Sequence, residues 1–249
     1  MPSYPLADID PLRVAAGLAT SDGTVLLHTQ RPWYGSGGSI LLLDPVWELR
    51  AEGTEITESG PVPRLSSPAA HLGARLEQLR GMAPADDGPG LPILAGFLGY
   101  DAGSASADCA HATRPPFSLP DAWIGCYDTA IVFDTQGPPR LVLRDLTGFG
   151  GRSPEGRLPR LLDRIREAES SLRPDRGRTG EVRLPDPEWH AAAVARIMEH
   201  LRAGDTYQVN LTGFATAETT VAPFESFLKH SAENPVAFAA FLRVNGVSI

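Results

Sequence analysis

Two amide side chains, Gln208 and Asn210, stand two positions apart in the stretch LRAGDTYQVNLT (201–212) and could form one wall of a binding site. A helix is predicted to end at Gly204, because glycine readily takes the left-handed conformation that closes a helix. The residues after it alternate between apolar and polar, which predicts a strand with both amides on one face. Two interpretations stay open: the amides contact a substrate, or they satisfy neighbouring loops, since buried amides need hydrogen-bond partners.

Other residues that could do chemistry lack the spacing that their chemistry needs. Cys109 and His111 could bind a metal, but a structural zinc site needs four ligands and no second pair accompanies them. Gly96 and Gly99 are not followed by the Gly-Lys-Ser/Thr of a phosphate-binding loop. We find no spacing that supports a Ser-His-Asp triad, so spacing alone assigns no catalytic residue.

The elements that would position these residues begin with strands and helices in the first half of the chain. Strands are predicted where β-branched and aromatic residues cluster or alternate with polar ones, and helices where apolar residues recur every three or four positions. The predicted strands are 23–29, 39–45, 47–53 and 139–146, together with a buried strand at 91–103 and one or two buried strands at 122–134. The predicted helices are 66–82 and 157–172. Short connections between the first strands indicate an antiparallel sheet.

The charged segment 176–185 is predicted to be a linker between a first domain, 1–175, and a second domain, 186–249. The second domain opens with a helix that Asp186 caps and that Pro187 begins. Apolar residues recur in this helix at every fourth position and are expected to be buried: Trp189, Ala193, Ile197 and Leu201.

The last residues predict a β-hairpin. A helix at 222–234 leads to a strand at 236–244, and Asn245-Gly246 favours a tight turn in which both central residues have positive φ. The returning arm consists of 247–249. Because so short an arm would leave backbone groups of its partner strand unpaired, we expect the chain to be the N-terminal part of a longer protein.

Composition restricts the class of partner. A formal charge of −8 and a pI near 5.2 argue against binding to nucleic acid or to an anionic membrane. The first residues lack the pattern of a signal peptide, and no apolar run approaches the roughly 20 residues that a membrane helix needs. Two cysteines in 249 residues are typical of a reducing compartment, so we expect a cytoplasmic protein.

The stretch MEHLRAGDTYQVNLT (198–212) resembles a signature of the chorismate-utilising enzymes, in the form found in component I of aminodeoxychorismate synthase. Four further stretches resemble this family in the same order along the chain. They are LLHT…GGSILLLDP (26–45), GFLGYD (96–101), LPDAWIGCYDTAIVFD (119–134) and ENPVAFAAFL (233–242). By these collinear stretches the chain is identified as a member of the family, and Tyr-Gln-Val-Asn-Leu favours aminodeoxychorismate synthase over the related anthranilate synthase.

The resemblance implies an α+β fold of two packed, mainly antiparallel β-sheets with flanking helices. It implies that ammonia from a glutamine amidotransferase partner replaces the C4 hydroxyl of chorismate, giving 4-amino-4-deoxychorismate on the way to p-aminobenzoate and folate. It also implies Mg²⁺, which holds the substrate carboxylate and supplies positive charge in an acidic protein. The family's catalytic residues and magnesium ligands follow the segment that this chain resembles, so none is assigned to a residue here.

The family also binds tryptophan in its N-terminal half, and the resemblance carries this pocket onto six positions of the chain. They are Leu27, Thr29, Ser39, Asn234, Pro235 and Phe238. Thr29 replaces the usual serine and keeps its hydroxyl, whereas Gly38 and Ala237 replace a tyrosine and a proline. By the same resemblance, Gln208 and Asn210 would line the chorismate site.

Three functions follow as alternatives. The first is the N-terminal part of aminodeoxychorismate synthase component I, inactive when it is alone. The second is a non-catalytic module that binds tryptophan or docks an amidotransferase. The third is part of anthranilate synthase component I, because the residues that determine the product would lie outside this chain.

Overall fold

The computed structural model describes residues 3–6, 9, 11–33, 36–60, 72–82, 94–103, 119–134, 137–146, 153–171 and 177–249. Contacts divide the chain into two units: the first combines Met1–Arg173 with Phe227–Ile249, and the second is Pro174–Ser226. The predicted linker at 176–185 and the domains on either side of it stay predictions. The division by contacts differs from them in grouping 227–249 with the first half of the chain.

The first unit contains a large antiparallel sheet. Its strands in the described part of the chain are β1 (Ser3–Pro5), β2 (Val25–Trp33), β3 (Ser36–Leu42), β8 (Thr129–Asp134), β9 (Arg140–Leu143), β10 (Ala239–Val244) and β11 (Val247–Ser248). They lie in the order β1-β9-β8-β3-β2-β10-β11. β2 pairs with β3 on one side and with β10 on the other, so Leu27 lies opposite both Ile40 and Ala240.

A second antiparallel sheet is smaller. It consists, among the described residues, of β4 (Trp47–Glu52), β5 (Glu55–Ser59), β6 (Leu94–Leu98) and β7 (Ala122–Cys126), in the order β5-β4-β7-β6. A Cβ atom on Gly96 would lie 2.0 Å from the carbonyl oxygen of Trp123, so glycine is required where β6 passes β7. The expectation of a buried strand at 91–103 is wrong, because β6 lies at the sheet edge and Leu98 is 58% exposed.

The two sheets share an apolar core. Trp123 of β7, which is fully buried, packs in one cluster with Val25 of β2, Leu42 of β3 and Leu242 of β10. The indole Nε1 of Trp123 donates a hydrogen bond to Glu48 at 3.1 Å, which satisfies its polar atom inside the core. β10 therefore contributes to the same core as strands from the first half of the chain.

Three helices of the first unit complete the described core: α1 (Pro11–Leu18), α2 (Leu72–Met82) and α3 (Leu158–Ser171). Leu72 and Leu76 of α2 pack against the small sheet. α1 and α3 contact each other so closely that a Cβ atom on Gly17 would lie 2.7 Å from the Cβ of Ala168. Both helices contribute buried residues, because each has an amphipathic sequence.

The predicted α+β fold of two antiparallel sheets with flanking helices is confirmed. Among the described strands and α-helices, β1, α1 and β5 were not predicted. β1 has only three residues and α1 has only eight. β5 (EITES) contains a single large apolar residue, Ile56, and is otherwise polar. Each pattern is too short or too polar to give a periodic signal.

The predicted hairpin at the end of the chain is confirmed. Asn245 and Gly246 have φ values of 53° and 73°, as a tight turn between β10 and β11 requires. The backbone N–H of Gly246 donates to the two carboxylate oxygens of Asp22 at 3.0 and 3.1 Å. Arg50 donates to the side-chain oxygen of Asn245, so two distant parts of the chain hold this turn.

The second unit contains α4 (Pro187–Ala203) and the start of α5 (Pro223–Glu233). The predicted ends of α4 are confirmed: Asp186 accepts from the N–H of Glu188 at 2.9 Å, and Gly204 has a φ of 80°. Two isolated antiparallel bridges join 179 to 219 and 183 to 216. No helix in the described part of the chain has the length and apolar character that a bilayer crossing requires.

Two predictions for the second unit are wrong. Residues 206–212 do not form a strand, because no strand among the described residues pairs with them. The apolar residues of α4 are not buried; Trp189, for example, is 48% exposed. Alternation and helical periodicity show which residues suit a buried face, but a face is buried only where a partner covers it.

Candidate functional site

The two amides that opened the sequence analysis lie on the surface of the second unit. Gln208 and Asn210 are both exposed and follow the C-terminal end of α4. The hydroxyl of Thr206 donates to the backbone carbonyl of Gln208 at 3.1 Å, which fixes the start of this segment. Because the segment is not a strand, the two side chains do not share a sheet face, and their contact with a substrate stays a prediction.

Three of the six positions predicted for a tryptophan pocket lie on the large sheet, and they are divided between its two faces. Leu27 and Thr29 alternate with His28 along β2 and therefore point to the same face. Ser39 lies directly opposite His28 in the register of β2 and β3. Paired residues of an antiparallel sheet share a face, so Ser39 lies on the opposite face from Leu27 and Thr29.

The other three predicted pocket positions follow α5. The N–H of Asn234 donates to the carbonyl of His230 at 2.9 Å, so Asn234 continues the last turn of the helix. Pro235 is exposed and Phe238, just before β10, is 70% exposed. All six positions belong to the first unit, and tryptophan binding by them stays a prediction.

A polar pair that sequence reasoning missed lies between these positions. The Nδ1 atom of His28 and the hydroxyl of Ser39 are 2.7 Å apart. The ring of Phe227, from α5, meets His28 edge-on at a centroid distance of 6.0 Å and lies 5.6 Å from Phe241 of β10. Burial lowers the pKa of His28 below its ordinary value of 6.5, which favours the neutral imidazole.

A second cluster of titratable groups lies at the start of β8. Asp128 is fully buried, and Arg157 and the hydroxyl of Thr129 donate to one of its carboxylate oxygens at 2.6 and 2.9 Å. Burial, followed by the charge of Asp128, raises the pKa of the Cys126 thiol to about 11, so this thiol is not a nucleophile near neutral pH. These contacts are those of a structural core.

Tyr127, which lies between Cys126 and Asp128 in the sequence, also has a structural role. The hydroxyl of Tyr127 donates to the carbonyl of Gly23 at 2.7 Å, and burial raises the pKa of this hydroxyl. A cavity beside Asp128 has a volume of about 10 Å³, which is room for about one water molecule. It is too small for an organic substrate.

The described residues do not fit a metal ion. Nowhere in the described part of the chain do three or more His, Cys, Asp or Glu side chains form a group that could hold one. Cys109 and His111 lie outside the described residues.

Comparison with known proteins identifies the family to which the chain belongs. A model of the family described as "chorismate binding enzyme" matches residues 23–249. Aminodeoxychorismate synthase component 1 of Klebsiella aerogenes is 27% identical over 160 residues, which are 63% of this chain and 34% of that protein. Anthranilate synthase component 1 of Lactococcus lactis subsp. lactis (strain IL1403) is 24% identical over 249 residues, 96% of this chain and 53% of that protein.

A solved structure shows the same fold. Anthranilate synthase component I from Streptococcus pneumoniae TIGR4 superposes with a TM-score of 0.64 at 21% identity. The match covers 96% of this chain and 54% of the solved chain. The present chain thus spans about a third to a half of the length of the relatives named here.

Proposed function

The chain belongs to the family of chorismate binding enzymes, and we propose that it forms the N-terminal part of component I of an aminodeoxychorismate synthase. The observation that carries the proposal is the family match, which covers residues 23–249. The five collinear stretches of sequence support the choice of this member of the family. The reaction belongs to the whole protein, of which this chain would be one part.

The proposed reaction replaces one substituent of chorismate. Ammonia forms a bond to C4, the C4–O bond breaks, and the hydroxyl leaves as water after it takes up a proton. A glutamine amidotransferase partner would supply the ammonia by hydrolysing glutamine. Mg²⁺ would neutralise carboxylate charge on the substrate. Because the described residues form no group of three or more possible metal ligands, we propose that its ligands lie elsewhere in the whole protein.

The inactivity of the chain alone is directly testable. The purified 249-residue chain is incubated with chorismate, ammonia and Mg²⁺, and the products are separated by liquid chromatography with mass detection. We expect no consumption of chorismate above the rate without protein, because the described residues hold no group of three or more His, Cys, Asp or Glu side chains that could bind a metal, and the resemblance places the family's catalytic residues beyond this segment. Turnover by this chain would refute the proposed division of the enzyme.

Anthranilate synthase component I is the second candidate. The observation that favours it is that the solved relative is an anthranilate synthase component I. Anthranilate synthase component 1 of Lactococcus lactis also matches at 24% identity, close to the 27% of aminodeoxychorismate synthase component 1 of Klebsiella aerogenes. The same assay on a longer protein that contains this chain distinguishes them. The proposal requires 4-amino-4-deoxychorismate as the product, whereas anthranilate together with pyruvate would replace it by the second candidate.

A further inference from the structure

One carboxylate oxygen of Asp128 is buried without a hydrogen-bond partner among the described residues. The side chain is fully buried, and its Oδ1 atom accepts from the hydroxyl of Thr129 at 2.9 Å and from the guanidinium of Arg157 at 2.6 Å. Its Oδ2 atom accepts from no protein group within the described ranges. A buried acceptor that stays unsatisfied destabilises a fold, and a charged one does so most, so we expect a bound molecule to donate to Oδ2.

The cavity beside this carboxylate provides the space for such a molecule. Leu42, Ala130 and Val142 stand in one row across β3, β8 and β9, so they share a face of the large sheet. These three residues line the apolar side of the cavity, and Asp128, Thr129 and Arg144 line the polar side. The volume of about 10 Å³ accommodates about one water molecule and no organic ligand.

The charges around the cavity favour a neutral occupant. Arg157 already pairs with the carboxylate of Asp128, and Arg144 brings a second guanidinium to the lining. The backbone N–H of Arg144 donates to the carbonyl of Asp128 at 2.8 Å, which holds the two residues side by side. A cation would meet two positive groups and only one carboxylate, whereas an anion would lie against that carboxylate. Size and charge together therefore select water.

The polar groups of the lining offer a water molecule a full set of partners. The Thr129 hydroxyl donates its proton to Asp128 and accepts from Arg157 at 2.8 Å, so it retains one lone pair. The guanidinium of Arg144 has five N–H donors, and one of these suffices for a water. A water can thus donate to Oδ2 of Asp128 and to Thr129 while it accepts from Arg144, and about three hydrogen bonds are typical of a buried water.

We infer that one ordered water molecule occupies this cavity and donates a hydrogen bond to Oδ2 of Asp128. The water completes a network that includes Arg157, the residue immediately before α3, and thereby ties the start of that helix to the large sheet. The site belongs to the first unit and does not depend on which reaction the whole protein catalyses.

The test begins with the 249-residue chain itself. A crystal structure that resolves individual waters should show one peak of water density within hydrogen-bond distance of Oδ2 of Asp128 and of the Arg144 guanidinium. Oxygen-17 magnetic relaxation dispersion counts the long-lived waters of the same protein in solution. A cavity without such a peak, or one filled by a side chain, would overturn the inference.

Two matched substitutions locate the water. Val142→Ile adds a methylene group at the lining of the cavity, so we expect the density peak to disappear and the count of long-lived waters to fall by one. Val132→Ile makes the same change on β8 at a position that does not line the cavity, and it should keep both. Persistence of the water in Val142→Ile, or its equal loss from both variants, would contradict this location. If Val142→Ile does not fold, the parent chain alone decides.

A last measurement distinguishes water from a small cation. Thermal unfolding of the 249-residue chain is followed in sodium, potassium and ammonium chloride at equal ionic strength. We expect the same Tm in all three salts, because a water site takes no cation from the solution. A Tm that rises with the concentration of one of these cations and not with the others would replace the inferred water by a cation.

Discussion

The fold favours the neutral form of His28. Its Nδ1 atom is 2.7 Å from the hydroxyl of Ser39, its ring makes a T-shaped contact with that of Phe227, and burial lowers its pKa. The unfolded chain binds a proton at the ordinary pKa of 6.5, whereas the folded chain resists protonation until a lower pH. The stabilisation is therefore complete above pH 6.5 and is lost as the pH falls from there through the folded-state pKa.

We expect His28→Gln to reduce the pH dependence of stability. Glutamine keeps a hydrogen-bonding group beside Ser39 but takes up no proton, so Tm should fall less between about pH 7.5 and about pH 5.5 than in the parent chain. Thermal unfolding followed by circular dichroism measures this difference. His190→Gln, at an exposed position of α4, is the matched control and should retain the parent's dependence. An identical pH dependence in both variants would contradict the role of His28.

Arg157 is expected to be the most sensitive charged residue of the first unit. Its guanidinium pairs with Asp128 at 2.6 Å, and the side chains of the two residues are 11% and 0% exposed. Arg157→Ala leaves the carboxylate buried without its cation, which should lower the free energy of unfolding by about 3–5 kcal/mol. Urea denaturation measures the loss.

The control for this substitution is Arg166→Ala. Arg166 pairs with Asp163 at 3.0 Å, but both side chains are about 70% exposed, and exposed pairs contribute only about 0–1 kcal/mol. Both arginines are close to or within α3, so a similar loss in the two variants would indicate a general effect on the helix rather than the buried pair.

At the scale of the element, the β10–β11 turn depends on backbone conformation. Gly246 has a φ of 73°, and a Cβ atom there would meet no atom within 4 Å. Gly246→Ala should therefore lower the free energy of unfolding by about 1–2 kcal/mol through backbone strain alone. Gly137→Ala is the control, because its Cβ would also enter open space and its φ is outside the left-handed region. A loss at Gly137 equal to that at Gly246 would exclude the backbone explanation.

The ends of α4 and the β10–β11 turn could be predicted from the sequence, because each is determined by the residues at that position. Asp186 and Gly204 mark the ends of α4 through their own conformational preferences, and Asn245-Gly246 marks the turn in the same way. The strand at 206–212 failed because alternation describes one segment, whereas a strand exists only with a partner.

The candidate site was less predictable, because it depends on register. That Ser39 faces the side of His28 and not that of Leu27 follows from the pairing of β2 with β3. A shift of one residue in that pairing would exchange the faces. The pair of His28 and Ser39 could have been found only by fixing this register, and neither residue type carries a signal for it.

At the scale of the whole molecule, the first unit is built from two separated parts of the chain. β10 and β11 follow the second unit in sequence, yet β10 pairs with β2 and adds Leu242 and Val244 to the core. The first unit therefore includes the end of the chain in its sheet and in its core.

We expect a variant in which 177–222 is replaced by a Gly/Ser segment of equal length to keep the cooperative unfolding of the first unit. A chain that stops after Arg173 should lose it, because Leu242 and Val244 each contribute about 1.5–3 kcal/mol by burial and the total stability of a domain is only about 5–15 kcal/mol. Calorimetry distinguishes the two variants. If the Gly/Ser variant unfolds without a transition, the first unit is not independent of the second.

The hydrogen bonds between the N–H of Gly246 and the carboxylate of Asp22 join residues that are 224 positions apart. This separation affects how the protein folds during its synthesis. Ribosomes add roughly 5–20 residues per second, so about 10–45 s pass between emergence of the β2 region and arrival of its β10 partner. During that time the nascent chain presents an unpaired strand edge, which is a template for association with other chains. We therefore expect slower translation through the second unit to lengthen the exposure of this edge.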